Sequence, residues 1–232
     1  MALAGLRGSL GGGVLDIDTP QGLARAHLEP VADPVAAMVL GHGAGGSVTA
    51  PDLLAAARVA RDARIAVARV EQPYRVAGRR SPPRAEQLDL AWGTIIEELV
   101  GGPWSGLPLI LGGRSSGARV ACRSAAGMGA IGVLCLAFPL IPPQRKGSTA
   151  TPTRQPELDA VRVPVLVVQG EGDRFGMPAP SSSRRVINVR GDHGLKSDLD
   201  GVAEAVRDWL PEVLLAGASL PSAPASSRQN SR

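Results

Sequence analysis

The chain has 232 residues, of which 44% are hydrophobic and only 3% aromatic, so it is long enough for one domain with an aliphatic core. The formal net charge is +4, and nearly all of the positive charge is arginine, since only Lys146 and Lys196 are lysines. The one dense basic cluster, between Arg75 and Arg84, is interpreted as a solvated loop, so we expect no nucleic-acid partner.

The predicted elements alternate between short apolar runs rich in Val, Leu and Ile and segments with helical periodicity. The stretch VLDIDTPQGLARAHLEP (14–30) predicts a hairpin of two alternating strands. After it we predict, in chain order, a strand at 36–43, a helix at 51–63, a strand at 64–71, a helix at 84–99, a strand at 107–113, a helix at 116–126, strands at 130–138, 163–170 and 184–189, and a helix at 198–210. This alternation indicates an α/β fold with a mostly parallel central sheet, helices on both faces and an antiparallel N-terminal edge.

The composition divides the chain into three parts. We expect an N-terminal extension at 1–12, one α/β domain at 13–215, and a tail at 216–232 that is rich in Ser, Pro and Ala and is predicted to be disordered. The segment between Phe138 and Val163 has little periodicity and is too short for a separate cap domain. The sequence therefore predicts a single domain without a cap.

Cysteine use and the apolar runs bear on the compartment of the chain. Cys122 and Cys135 lie in apolar segments without a CxxC or Cys/His metal spacing, so we predict two buried free thiols and no metal site. The start, MALAGLRGSLGGGV, has glycines where a signal peptide needs an unbroken apolar core. The longest uncharged run, GMGAIGVLCLAFPLIPP, is shorter than the roughly 20 residues of a membrane-spanning helix. We therefore expect a cytoplasmic protein with no membrane contact.

The stretch LILGGRSSGARVAC (109–122) places Ser115 between Gly113 and Gly117, where a predicted strand meets a predicted helix. Gly-Arg-Ser-Ser-Gly fits the G-x-S-x-G pattern, and the strand–turn–helix context is what identifies a nucleophile elbow. The glycines have a physical reason, because the sharp turn brings its flanks against the neighbouring strand and helix. The pattern alone is weak in a chain with 29 glycines, where an ordinary turn could have the same sequence.

Two further residues occur in the order that such an elbow requires. The acid and then the histidine follow the serine in this kind of site, and of the three histidines only His193 lies after Ser115. His193 stands in GDHGL, after the last predicted strand, and Asp173 stands in GEGDRFG, after the strand before it. Glu171 competes as the acid, but it lies in the turn leaving the strand. Each residue alone could be an ordinary loop residue, whereas all three at successive strand ends predict a Ser115–His193–Asp173 catalytic triad.

The glycine-rich LGHGAGG, residues 40–46, follows an earlier strand and predicts a backbone donor for an oxyanion hole. We choose the N–H of Ala44, with Gly45 as the alternative, and expect the second donor to be the N–H of Ser116. A phosphate-binding loop is the other interpretation, but neither a P-loop Gly-Lys-Ser/Thr nor a dinucleotide fingerprint is present. His42 is interpreted as a structural residue of this turn.

These segments together resemble the α/β-hydrolases, and within them a compact, capless subgroup related to the dienelactone hydrolases. The likeness rests on VLGHGAGGS, PYRVAGRRSPPR with the later AW, LGGRSSGAR, LAFPLIPP, VQGEGDRFG and GDHGLK, which span about residues 36 to 196. Arg114 in the elbow is part of it. Two positions depart from the pattern: Ser116 stands where a larger residue, often methionine, is usual, and Ile141 stands where histidine is often found.

Together with the motifs, the resemblance implies a serine hydrolase that cleaves an ester, lactone or thioester of a small molecule through an acyl-enzyme, with no metal or organic cofactor. Arg75 and Arg79 are candidates for favouring an anionic acyl substrate, because their loop follows a strand. The subgroup also includes a testis-expressed hydrolase-like protein and a subunit of a histone-acetyltransferase complex, so a non-catalytic scaffold that keeps the fold is the alternative. The sequence leaves open whether the chain is a monomer or a homodimer.

Overall fold

The computed structural model describes residues 12–142 and 153–218, which form eight strands and six helices. The strands are β1 Gly13–Thr19, β2 Gly22–Glu29, β3 Ala36–Gly41, β4 Ile65–Glu71, β5 Leu109–Arg114, β6 Gly132–Leu136, β7 Val165–Gly170 and β8 Arg184–Val189. The helices are α1 Pro51–Asp62, α2 Pro73–Val76, α3 Ala85–Gly101, α4 Ser116–Ser124, α5 Gln155–Asp159 and α6 Leu199–Ala218.

All eight strands lie in one sheet, in the order β1-β2-β4-β3-β5-β6-β7-β8. β1 and β2 pair antiparallel, and so do β2 and β4, while every other neighbouring pair is parallel. The mostly parallel sheet and its antiparallel N-terminal edge are therefore confirmed. Every residue of β3, β6 and β7 is buried, because helices cover both faces of the central sheet.

Two separate hydrophobic cores lie on the two faces of the sheet. Trp92 of α3 belongs to the first core, together with apolar residues of α4. Leu53 of α1 and Trp209 of α6 belong to the second. Successive residues of β3 alternate between the two, since Val39 joins the first core and Met38 the second. This alternation explains why the central strands are apolar throughout rather than at every second position.

The last helix runs further than its sequence predicts. We predicted an end at residue 210, before Pro211, yet α6 continues to Ala218 with Pro211 inside it. An interior proline costs a helix about 3 kcal/mol. The extension is held by tertiary packing, because Val213 is fully buried and its side chain lies directly over Gly132 of β6. Packing of one face therefore outweighs the local signal of the proline.

The predicted domain boundaries stay predictions. Residues 1–11, 143–152 and 219–232 lie outside those that the structure describes, so most of the N-terminal extension and of the tail falls there. Between β6 and β7 the described residues form one short helix, α5, which the sequence did not predict. Among the helices of the described segments, none is long and apolar enough to cross a membrane.

Candidate active site

The predicted site residues follow four strands whose carboxyl ends meet at one edge of the sheet. Ala44 follows β3, Ser115 follows β5, Asp173 follows β7 and His193 follows β8. From β3 the chain passes to β4 on one side, whereas β5 lies on the other side. A crevice opens where the strand order reverses in this way, and it is the usual binding place in a parallel α/β sheet.

The backbone at Ser115 has the strained conformation of a nucleophile elbow. Its φ is 52° and its ψ is −107°, a combination that residues other than glycine rarely adopt. A Cβ added at Gly113 would lie 2.5 Å from the carbonyl oxygen of Gly41, and one added at Gly117 would overlap the same carbonyl. The two flanking glycines are thus required by the close approach of the turn to the end of β3.

Ser115, His193 and Asp173 form one chain of hydrogen bonds. The Oγ of Ser115 lies 2.9 Å from Nε2 of His193, and Nδ1 of His193 lies 2.8 Å from Oδ2 of Asp173. Because an ionised carboxylate only accepts hydrogen bonds, Nδ1 carries the proton and donates it to Asp173. Nε2 is then the acceptor for the hydroxyl proton of Ser115. The side chain of Asp173 is fully buried, while that of His193 is 20% exposed.

Asp173 is held by two donors besides the histidine. Its Oδ1 accepts the backbone N–H of Phe175 at 2.9 Å, and its Oδ2 accepts Nε2 of Gln169 at 2.8 Å. The same amide group lies within 3.0 Å of two carbonyl oxygens, those of Phe138 and Gly176. Three oxygens around one nitrogen fix the orientation of the Gln169 amide, because its own oxygen would be repelled there.

Sequence reasoning did not identify Gln169 as part of the site. The only signal is a polar residue at the end of VLVVQG, a strand that is otherwise apolar and completely buried. A buried polar side chain is normally hydrogen-bonded, so such a position deserves a search for its partner. Phe175 was likewise missed, and its ring packs edge-on against His193 at 4.6 Å between centroids.

The loop 42–46 lies beside the elbow and is anchored by its carbonyl groups. The hydroxyl of Tyr74 donates to the carbonyl of Ala44 at 2.6 Å, and burial raises the pKa of this tyrosine to about 12. The carbonyl of Gly43 accepts the N–H of Gly46 at 2.9 Å. Within the described parts of the chain, the N–H groups of Ala44, Gly45 and Ser116 donate to no protein acceptor. All three are thus free to bind a ligand.

His42 is a fixed, neutral element of this loop. Its Nε2 accepts the backbone N–H of Gln72 at 3.1 Å, so Nδ1 carries the proton and donates to the carbonyl of Gly43 at 2.8 Å. Burial is the largest effect on its pKa and lowers it, against the opposing effect of the hydrogen bond to Gly43. The geometry agrees with the structural interpretation of His42.

We expect the neutral form of His42 to make stability depend on pH. Because the pKa of His42 is lowered in the folded state, the unfolded chain takes up the proton first as the pH falls. The contribution of His42 to the free energy of unfolding is therefore fully present above about pH 6.5 and decreases below that pH. His42→Gln, whose side-chain oxygen can accept from Gln72 without titrating, should flatten this decline between pH 7.5 and 5.5. Urea unfolding of both proteins across that range measures the difference, which cannot exceed about 1.4 kcal/mol per pH unit. Equal slopes in the two proteins would contradict this role.

The remaining predicted positions have mixed outcomes. Arg75 donates to the carbonyl of Arg79 at 3.1 Å, and Arg79 is exposed. Within the described segments, neither forms a hydrogen bond or ion pair with the triad, so their substrate role stays a prediction. Ile141 donates its N–H to the carbonyl of Phe175, in the loop that carries Asp173.

The sequence also predicts that the two cysteines are buried free thiols and that the chain has no metal site. Cys122 and Cys135 are buried and free, with their sulfurs 3.5 Å apart, so the prediction of free thiols is confirmed. The hydrogen bond to Cys122, followed by burial, raises the pKa of Cys135 well above its ordinary value. In the part of the chain that the structure describes, no group of three or more His, Cys, Asp or Glu side chains is placed to hold a metal ion.

Comparison with known proteins gives one family match and several similar structures. A family model described as alpha/beta hydrolase domain matches residues 34–198. A serine hydrolase without a lid from Xanthomonas campestris is 18% identical, with a TM-score of 0.69 over 94% of this chain and 99% of that one. Est1E from Butyrivibrio proteoclasticus is 15% identical, with a TM-score of 0.69 over 88% and 100% of the two chains. A dienelactone hydrolase from Anabaena variabilis is 16% identical, with a TM-score of 0.67 over 87% and 97%.

No curated protein matches the chain. The similar structures agree with it in fold, and at such identities they show the fold alone. The family match is a separate finding, because it spans more than half of the chain and includes all four loops at the carboxyl edge. It confirms the resemblance drawn from the motifs: this chain belongs to the α/β-hydrolase domain family.

Proposed function

We propose that this protein is a serine hydrolase that cleaves an ester, lactone or thioester bond of a small molecule. The observation that carries the proposal is the continuous hydrogen-bonded path from the Oγ of Ser115 through His193 to the buried carboxylate of Asp173. A protein that served only as a scaffold would have no need of a hydroxyl, an imidazole and a carboxylate aligned from three separate loops.

In the proposed reaction Ser115 attacks the acyl carbonyl while Nε2 of His193 takes its hydroxyl proton. The tetrahedral intermediate collapses, and His193 gives this proton to the leaving group as the acyl-enzyme forms. A water molecule then attacks the acyl-enzyme, with His193 again accepting and returning a proton, so Ser115 is regenerated. Asp173 holds the imidazole in the tautomer that has a free Nε2 and stabilises its charged form.

The oxyanion of the intermediate is proposed to bind the N–H groups of Ser116 and Ala44. Ser116 is the first residue of α4, so its N–H has no acceptor within the helix and lies at the positive end of the helix dipole. A Cβ added at Gly43 would lie 3.6 Å from the Cβ of Ser115, which supports a donor from this loop. Gly45 is the alternative donor. Such backbone donors are often the largest electrostatic contribution to acyl transfer.

The proposed substrate class is supported by two of the similar structures. A dienelactone hydrolase and Est1E with bound ferulic acid are among the similar structures, and both names concern small molecules. The proposed chemistry requires neither a metal nor an organic cofactor. Arg75 and Arg79 remain the candidates for a preference for anionic acyl groups.

Labelling with a fluorophosphonate tests the proposal directly, because this probe reacts only with an activated serine. We expect the wild type to be labelled and to hydrolyse p-nitrophenyl acetate, and both activities to vanish in Ser115→Ala. Ser124→Ala is the matched control: Ser124 is the last residue of α4, the helix that begins directly after Ser115, and its hydroxyl donates to the carbonyl of Val120 at 2.9 Å. A wild-type protein that is folded by circular dichroism but unlabelled would count against the hydrolase and favour a scaffold.

A further inference from the structure

Arg114, the residue before the nucleophile, connects three separate segments of the fold. Its Nη2 donates to the backbone carbonyl of His193 at 2.7 Å. Its Nε lies 2.8 Å from Oδ2 of Asp52, the second residue of α1. A Cβ added at Gly43 would lie 3.0 Å from its Nη1, so the guanidinium also packs against the loop 42–46. One side chain thus touches the loop 190–197 that carries His193 (the histidine loop), the first turn of α1 and the loop 42–46 (the candidate oxyanion loop).

The partner of Arg114 is a fully buried carboxylate. The side chain of Asp52 is 0% exposed and that of Arg114 is 17% exposed. Burial raises the pKa of Asp52, and the adjacent Arg114 is the largest effect in the opposite direction. A buried charge of this kind is stable only with a close counter-ion. The pair therefore holds a guanidinium beside the backbone of His193, with donors left over to bind another segment.

The histidine loop has few other connections to the elbow. Within the loop, the N–H of Gly194 bonds the side chain of Asp192 at 2.8 Å, and the N–H of Leu195 bonds its carbonyl at 3.1 Å. Towards β5 and α4, the described residues provide two side-chain hydrogen bonds: that between His193 and Ser115, and that from Arg114. Only the second is independent of the reacting atoms.

We propose that Arg114 is a positioning residue, which fixes the backbone of His193 at the distance from which Nε2 accepts the proton of Ser115. The inference rests on the proposed hydrolase function and extends it, because it assigns a role to the variable residue of the G-x-S turn. The planar guanidinium suits this role, because it holds its nitrogens in a fixed relation: Nε faces Asp52 while Nη2, the neighbouring nitrogen on the same edge, donates to the carbonyl. A lysine ammonium at the end of a flexible chain cannot hold both partners in a fixed geometry.

Two variants separate positioning from charge pairing. Arg114→Lys keeps a cation for Asp52 but loses the fixed bond to His193. The double variant Asp52→Asn/Arg114→Gln removes both charges together, so no unpaired charge is left buried to unfold the chain. In both we expect kcat, normalised to the labelled serine, to fall about 10- to 100-fold with KM nearly unchanged. Hydrogen exchange of residues 190–197 should become faster in both.

Arg184→Lys is the matched control. Arg184 likewise joins a carboxylate and a backbone carbonyl, with Nη1 3.0 Å from Asp159 and Nε 2.7 Å from the carbonyl of Ala179. It is the first residue of β8, whereas His193 follows the last residue of that strand. We expect this variant to lose stability without changing kcat per labelled site or the exchange of residues 190–197.

The outcomes separate this inference from the proposed function. Positioning by Arg114 is overturned if Arg114→Lys retains the wild-type kcat per labelled site, or if hydrogen exchange of residues 190–197 is unchanged in both variants. Labelling of Ser115 would still support the hydrolase in either case. If the wild type is not labelled at all, the proposed function fails. Exchange of the loop then still decides whether Arg114 holds it.

Discussion

Replacing Asp173 with asparagine is expected to lower kcat for ester hydrolysis about 10⁴-fold while leaving the fold intact, which is the size of this effect in a Ser-His-Asp enzyme. The structure gives the reason. Asp173 accepts three hydrogen bonds, from Phe175, Gln169 and His193, and donates none. Asparagine has one oxygen for these three donors and adds an NH₂ group where an acceptor is required.

The amide oxygen of the new side chain would stay with the backbone N–H of Phe175, which cannot change its role. Its NH₂ group would then face the amide of Gln169 and Nδ1 of His193. His193 would then adopt the other tautomer, with its proton on Nε2 and with Nδ1 accepting a hydrogen bond from the new NH₂ group. In that tautomer Nε2 already carries a proton and cannot accept another from Ser115, so the nucleophile is not activated.

Steady-state hydrolysis of p-nitrophenyl acetate, with circular dichroism as the check on folding, measures this loss. Glu171→Gln is the matched control, because Glu171 is exposed, lies two residues away and is the competing acid by sequence. We expect it to retain wild-type kcat. A large loss in Glu171→Gln together with a small one in Asp173→Asn would reverse the assignment of the acid.

The sequence predicts most of the sheet because the central strands carry two signals at once. β3, β6 and β7 are buried on both faces, so their apolar runs are continuous, and Gly, Pro or charged residues mark their ends. β8 was predicted with its observed bounds, Arg184–Val189. Helices α2 and α5 were missed because four or five residues are too few to show a helical period. The extension of α6 depends on a contact with β6, which no local pattern contains.

The candidate site was predictable where chemistry is tied to chain order. Ser115 lies in a pattern, and Asp173 and His193 follow it in the required sequence, each after a strand. Gln169 and the pairing of Arg114 with Asp52 were not predictable, since their roles come from contacts between residues far apart in the chain. The choice between Ala44 and Gly45 also stays open. The carbonyl of Gly43 shares a peptide plane with the N–H of Ala44, and the carbonyl of Ala44 shares one with the N–H of Gly45. Both carbonyls accept a hydrogen bond, so both N–H groups are held in place.

Gly117→Ala is expected to destabilise the protein by about 3 kcal/mol, although the same change usually stabilises a helix. Gly117 is the second residue of α4, and its Cα faces the end of β3. An added Cβ would overlap the carbonyl group of Gly41 and lie 2.9 Å from the carbonyl oxygen of His42. These neighbours are backbone atoms of the last residue of a central strand and of the residue after it, so they cannot rotate away as a side chain would. Helix α4 must instead move outward, which opens both the core and the elbow.

Thermal unfolding measures this effect, and a loss of about 3 kcal/mol lowers the Tm of a domain of this size by about 10 °C. Gly101→Ala is the matched control, because Gly101 is the exposed last residue of α3 and an added Cβ there meets nothing within 4 Å. That change should raise stability by about 0.5 kcal/mol through the lower entropy of the unfolded chain. A Gly117→Ala protein as stable as Gly101→Ala would mean that α4 can shift freely against β3. The position of Ser115 would then depend on its own turn rather than on this contact.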